Sequence, residues 1–332
     1  MTAQLTLFGT WDAIPTKPLV AEQTPMARSE ERPEQRPTVP DPRQCSLFDG
    51  PQSIRHEAHQ CCLQLDAVGL RQSWRTATEL YPSWPGSQSW LAWSNGIEQL
   101  LGNPTEGSAQ EQAVRALSLW EGTSVLRFPE MSTALLGQLG AAALCRAASR
   151  LLAEEGMISQ LPDGRPAGYL FLLARRSEEA VAALQSQANA WTDKKGRGLL
   201  LGYLGESLYR CHRSQEALVA YRDAYCEDPL SVDETELTCR PIMDLLDTCA
   251  ELDLPDDSRG WLPALADLLG VIPLAGCRIP STDGASAAQT CLVLLAAYRR
   301  KQSEGMDDAE RIRRKREILK LAPGLKEPLR RV

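Results

Sequence analysis

The 332 residues include only three histidines, no Cys-x-x-Cys pair and no apolar run long enough to span a bilayer. Each shortage excludes something. Three histidines leave few ways to build a histidine-based active site. There is also no phosphate-binding glycine loop, no Gly-x-Ser-x-Gly and no His-Glu-x-x-His. With no apolar span and no basic-then-apolar signal pattern at its start, the sequence predicts a cytoplasmic protein without membrane contact. Runs of alternating β-branched residues are nearly absent, which argues against a β-rich fold. A net charge of -7 and a pI near 5.3 argue against a surface given over to nucleic acid or lipid. The hydrophobic share of 43% and charged share of 24% are those of a globular chain.

The ten cysteines are scattered, and most sit inside apolar helical patterns such as GAAALCRAAS and TCLVLLAAY. Cysteine used this way is a small reduced hydrophobe, so neither a structural disulfide nor a zinc site is expected. The densest cluster of soft ligands is His56, His59, Cys61 and Cys62. Adjacent cysteines on a helix point about 100° apart and do not easily close one tetrahedron with those histidines. The plainer reading puts Cys61 in a core and the histidines on an exposed first helix. Asp253, Asp256 and Asp257 flank Pro255 in a turn-like context and read as capping or solvated groups. No catalytic residue, metal or cofactor is assigned.

Composition divides the chain into residues 1–53, 54–305 and 306–332. Eight prolines fall within the first 51 residues, and ARSEERPEQRPTVPDPRQ (27–44) is almost devoid of apolar side chains. Such a tract cannot offset its ordering entropy and predicts a disordered tail. From about residue 54, apolar residues recur at helical spacing, as in Trp90, Trp93, Ile97 and Leu100. Turn residues cluster between the periodic segments, at WPGS, GNPTEG and LPDGRPAG. The fold class is all-α, built from helical hairpins with short connections.

One hairpin carries a recognisable pattern. GYLGESLYRCHRSQEALVAYRDAYCEDP (202–229) places Leu204-Gly205, Ala217, Tyr221, Ala224 and Pro229 at spacings that resemble the tetratricopeptide repeat. Gly205 and Ala217 let two helices approach, Tyr221 fills the wedge, and Pro229 ends the second helix. Two segments resemble it less closely: Gly168, Ala180 and Leu184 without the closing proline, and Ala58, Leu70, Trp74, Ala77 and Pro82. The resemblance covers about a third of the chain. It implies an α-solenoid, because single repeats cannot bury their own faces. It also implies a partner-binding groove presenting Tyr203, Glu206, Tyr209 and Arg210, with Tyr169 of the neighbouring hairpin on the same side.

The last segment is basic. Between Arg311 and Arg331 there are nine Lys/Arg against two Glu. Ile312 and Leu319 lie seven apart, with Leu321 and Ala322 adding apolar surface. A capping helix docked by that stripe is expected, and nucleic-acid phosphates are a weaker alternative partner for its charges.

The tail holds two similar pentapeptides. Gln4-Leu5-Thr6-Leu7-Phe8 resembles the short peptide by which bacterial replication and repair proteins hold the DNA sliding clamp: an initial glutamine, a final Leu-Phe, and a place near a flexible end. Gln44-Cys45-Ser46-Leu47-Phe48 keeps Gln44, Leu47 and Phe48 but has cysteine where the pattern prefers leucine. The resemblance implies an extended peptide docked in a pocketed groove. The sequence therefore predicts a non-catalytic adaptor or scaffold whose tail recruits a clamp. Two alternatives stay open: a scaffold subunit whose tail docks on its own array, and an enzyme of unrecognised type.

Overall fold

The computed structural model describes residues 50–102, 108–156, 159–191, 196–278 and 286–330. The segments Gln4–Phe8 and Gln44–Phe48 lie outside them. Fourteen α-helices form among the described residues. In order they are α1 (Pro51–Leu63), α2 (Ala67–Leu80), α3 (Gln88–Leu101), α4 (Ala109–Trp120), α5 (Thr133–Glu155), α6 (Gly168–Leu173), α7 (Ser177–Ala190), α8 (Arg197–Arg210), α9 (Ser214–Glu227), α10 (Arg240–Glu251), α11 (Leu262–Leu268), α12 (Ala287–Glu304), α13 (Asp308–Leu321) and α14 (Lys326–Arg330). No strand forms among these residues, and the only β-type pairing is an isolated bridge between Gln160 and Pro166. None of the helices is long and apolar enough to cross a membrane.

Local chemistry sets the helix ends. The side chains of Asp66, Ser108, Ser132 and Asp307 accept backbone N–H groups of α2, α4, α5 and α13, and Ser286 closes a reciprocal capping box with Gln289 on α12. Asp256 and Asp257 also accept from helix starts. Asp257 Oδ1 takes the N–H of Arg259 at 2.9 Å, and Asp256 Oδ2 takes that of Ala287 at 2.9 Å.

Packing runs chiefly between neighbours along the chain: α1 with α2, α2 with α3, α4 with α5, then α5 to α9 in succession, and α10 to α13 after them. One continuous apolar core runs through the array, from Ala58 to Leu329.

Three hairpins, α1–α2, α6–α7 and α8–α9, share their turn atom for atom. Seven residues after Ala58, Gly168 and Gly205 stand Leu65, Arg175 and His212, each in the left-handed region at φ 57°, 59° and 60°. The next residue closes the helix end by donating its N–H five residues back: Asp66 to Cys61 O at 2.8 Å, Arg176 to Phe171 O at 2.9 Å, and Arg213 to Leu208 O at 3.0 Å. That six-to-one bond satisfies carbonyls a helix terminus would leave orphaned. None of the three left-handed residues is glycine, so each turn carries a backbone cost that the packing of its two helices offsets.

Helix contact across two of these hairpins also repeats. A Cβ on Gly168 would lie 2.6 Å from Leu184 Cγ, and one on Gly205 would lie 2.8 Å from the Tyr221 ring. In both cases the glycine sits beneath the side chain sixteen residues later. Tyr221, Ala217 and Ala224 are buried, as are Ala180 and Leu184, and Ala58, Leu70 and Ala77; Trp74 packs against the core half-buried.

The basic C-terminal segment docks through only part of the stripe its spacing predicts: Leu319 and Leu321 pack against the core and Ala322 is buried, but Ile312 is not. Ile312 is 51% exposed, whereas Ile318, Ala322, Leu325 and Leu329 are buried. The chain turns at Pro323-Gly324, where Gly324 lies against the Asp253 backbone, and Leu325 and Leu329 beyond the turn are buried as well. Arg311, Arg313, Arg314 and Arg330 each pair with a carboxylate one turn away on their own helix. Such exposed pairs contribute little to stability.

Candidate interaction site around α8

Helix α8 has two chemically opposite faces, because residues three and seven apart share a side. Tyr203, Glu206 and Arg210 occupy one, and Leu201, Leu204 and Leu208 the other.

The polar face was expected to line an open groove. The structure instead places Tyr169, Tyr203 and Glu206 inside the protein and leaves Tyr209 and Arg210 half-buried. The reason is the segment Asp233–Thr238, which lies over this face and satisfies it. The Tyr203 hydroxyl donates to Asp233 Oδ2 at 2.9 Å. Glu206 Oε2 accepts from the Tyr221 hydroxyl at 2.8 Å and from the Thr238 N–H at 2.9 Å. Its Oε1 accepts from Arg210 Nε at 2.7 Å and from the Thr238 hydroxyl. Arg210 reaches on to the Glu236 carbonyl at 3.3 Å. The rings of Tyr169 and Tyr203 lie 4.6 Å apart, and the Arg165 guanidinium sits 4.6 Å from the centre of the Tyr169 ring. The shared register of Tyr203, Glu206 and Arg210 was legible in the sequence; the cover that buries it was not.

Burial pushes four phenols up: Tyr169 to about 12, Tyr203 and Tyr225 further still, and Tyr221 well above its ordinary value, with Asp233 and Glu206 adding to the effect at Tyr203 and Tyr221. Each folded pKa therefore exceeds the unfolded value near 10. The proton is held more tightly in the native state, and the stability this confers is complete below pH 10 and lost as pH rises beyond it. Absorbance at 295 nm during an alkaline titration checks this. These four of the seven tyrosines should stay protonated at about pH 11 and ionise only together with loss of helical circular dichroism.

The opposite face of α8 was not singled out by the sequence. Leu201, Leu204 and Leu208, with Val219 and Ala220 of α9 and with Ile272 and Pro273, line a cavity of about 450 Å³. Gln185, Gln215, Glu216 and Asp223 also line it, and Val219 is 41% exposed. The leucine stripe was readable in GLLLGYLGESL. What makes it a cavity wall is Ile272-Pro273, about 70 residues along the chain. That segment is held by Arg222, buried on α9, which donates to the Pro273 carbonyl at 2.6 Å and the Ala275 carbonyl at 3.1 Å.

A smaller cleft of about 240 Å³ lies between α1, α3 and the start of α5, lined by Arg55, His59, Trp84, Trp90, Trp93 and Glu130 among others. Here the histidine–cysteine cluster is pulled apart. His59 faces Trp93, with 6.3 Å between ring centres; His56 is exposed, and Cys61 and Cys62 turn into the core. Burial, Arg55 and His56 all lower the His59 pKa, and burial raises Cys62 to about 12. Among the described residues no group of three or more His, Cys, Asp or Glu is placed to hold a metal ion.

No protein-family model, no curated protein and no solved structure matches this chain.

Proposed function

We propose that the chain is a non-catalytic cytoplasmic adaptor: a tetratricopeptide-like α-solenoid that holds a protein partner and recruits a bacterial sliding clamp through Gln4–Phe8. The observation that carries the scaffold reading is the turn repeated at the same register in three hairpins, with left-handed Leu65, Arg175 and His212. One turn of this kind arises in any helical protein. Three at one spacing, two of them with a glycine packed under the residue sixteen positions later, support a repeated building block. The partner side rests on the cavity between α8 and α9, because an apolar recess with a few polar groups accepts an anchoring apolar side chain. The clamp side rests on the pentapeptide alone.

The test uses purified full-length protein and a variant lacking residues 1–49, each immobilised and offered a purified bacterial clamp. The full-length chain should retain the clamp and the shortened one should not, while both keep the same helical circular dichroism. Equal retention by the two would remove the tail from the proposal.

A further inference from the structure

The scattered cysteines contain one pair that the fold brings together. Cys226, in the last turn of α9, and Cys277, after the loop 271–276, are 51 positions apart in sequence, and their sulfurs lie 3.1 Å apart. Both thiols are free. Cys226 is buried. Cys277 is half-buried and lines a second cavity, of about 390 Å³, together with Arg299, Arg300 and Ser303, so a small polar oxidant has a route to its sulfur. Arg222 already pins the loop through the Pro273 and Ala275 carbonyls. Bringing the two sulfurs to bonding distance then takes about 1 Å of movement.

We propose that Cys226 and Cys277 form an oxidation site for hydrogen peroxide, which converts them into a reversible intrachain disulfide fastening the 271–277 loop to α9. Cys277 is the attacking sulfur. Its thiolate bonds to one peroxide oxygen as the O–O bond breaks and hydroxide leaves, giving a sulfenic acid. The Cys226 thiol then attacks that sulfur; the S–S bond forms, the S–O bond breaks, and the departing hydroxide takes up the Cys226 proton as water. Two thiols lose two electrons in total, and one peroxide becomes two waters.

The electrostatics agree with this division of roles. The hydrogen bond between the thiols lowers the Cys277 pKa, because Cys226 keeps the shared proton, and the Arg222 guanidinium acts in the same direction; burial and Asp223 oppose it. Cys249 and Cys291 differ sharply: burial alone raises each to about 12, which leaves them unreactive. The crosslink also bears on the larger cavity, since Ile272 and Pro273 of its wall belong to the fastened loop. The site itself stands whether or not that cavity holds a partner.

The experiment treats reduced full-length protein with hydrogen peroxide, alkylates it in urea without reductant, and maps the peptides by mass spectrometry. Expected are a Cys226–Cys277 linked peptide, two fewer alkylated thiols, reversal by dithiothreitol, and a midpoint of thermal unfolding raised by about 5 °C. In the same treatment with dimedone present, Cys226→Ala and Cys226→Ser should leave Cys277 as a trapped sulfenic-acid adduct, at least about five-fold above the parent. Cys277→Ser, altered at the half-buried position, should leave Cys226 reduced and without adduct. Absence of the linked peptide, equal linkage through other cysteines, or equal dimedone adduct in parent and Cys226 variants would overturn the proposal.

Discussion

Glu206→Ala is expected to destabilise the fold by about 3–5 kcal/mol, lowering the thermal midpoint by about 10 °C for a chain of this size. The carboxylate is 1% exposed and holds together three elements: Arg210 on its own helix, Tyr221 on α9 and Thr238 beyond it. Truncation leaves the Tyr221 hydroxyl and the Thr238 N–H without their acceptor. Each such group costs about 1–3 kcal/mol when buried. Arg210 loses its partner as well, but it is half-exposed and water replaces part of the loss. Glu206→Gln keeps the volume and one acceptor while turning an NH₂ toward donors, so an intermediate loss is expected. Urea unfolding followed at 222 nm measures both variants. A Glu206→Ala protein within about 0.5 kcal/mol of the parent would show that the Asp233–Thr238 segment does not depend on this carboxylate.

The second large effect concerns the tail. Replacing Leu7 and Phe8 by alanine should weaken binding to a purified clamp by at least about 100-fold, because each side chain buried in a pocket contributes about 1.5–3 kcal/mol. Ordering a Pro-rich chain offsets part of the gain, so a single motif is expected to bind in the micromolar range or weaker. On the proposed clamp reading, the second motif would act through geometry. Forty residues separate Gln4 from Gln44, and a flexible chain of that length has a root-mean-square reach of roughly 35 Å and a contour above ~100 Å. A ring with more than one identical pocket, as the resemblance implies, would let both segments engage at once and gain from effective concentration. Leu47→Ala with Phe48→Ala should therefore weaken binding only modestly. Calorimetric titration reads both variants, and parental affinity in the Leu7/Phe8 variant would end the clamp reading.

The helical class, the hairpin at 202–229 and its close glycine contact were all legible in the sequence. They depend on local periods and on residues 16 positions apart, which a single hairpin brings together. Asp257 was legible for the same reason, since it caps a turn two residues on, whereas Asp256 meets the start of α12 only through tertiary packing, 31 positions away. Three of the five groove residues, Tyr169, Tyr203 and Glu206, are buried instead of presented, and the reason is distance along the chain. A helix face is polar either because it meets water or because another segment satisfies it, and those cases have one pattern. Asp233 and Thr238 decide between them here, 30 and 32 positions beyond Tyr203 and Glu206.

The C-terminal stripe shows the same limit. Ile312 and Ile318 are equally apolar in sequence and lie on different faces of α13, and only the packing of that helix against α12 and the turn after it decides which of them reaches the core. The cysteines mark the boundary most clearly. Nothing near Cys226 names Cys277, because a separation of 51 positions leaves the chain free to place them anywhere. Helix periodicity, turn residues and composition were determined by the sequence by itself, since they arise from backbone sterics and burial within one or two turns. The covered face of α8, the cavity wall at Ile272-Pro273 and the paired sulfurs were decided only by tertiary packing, which alone brings remote side chains within the few ångströms over which hydrogen bonds and thiol chemistry act.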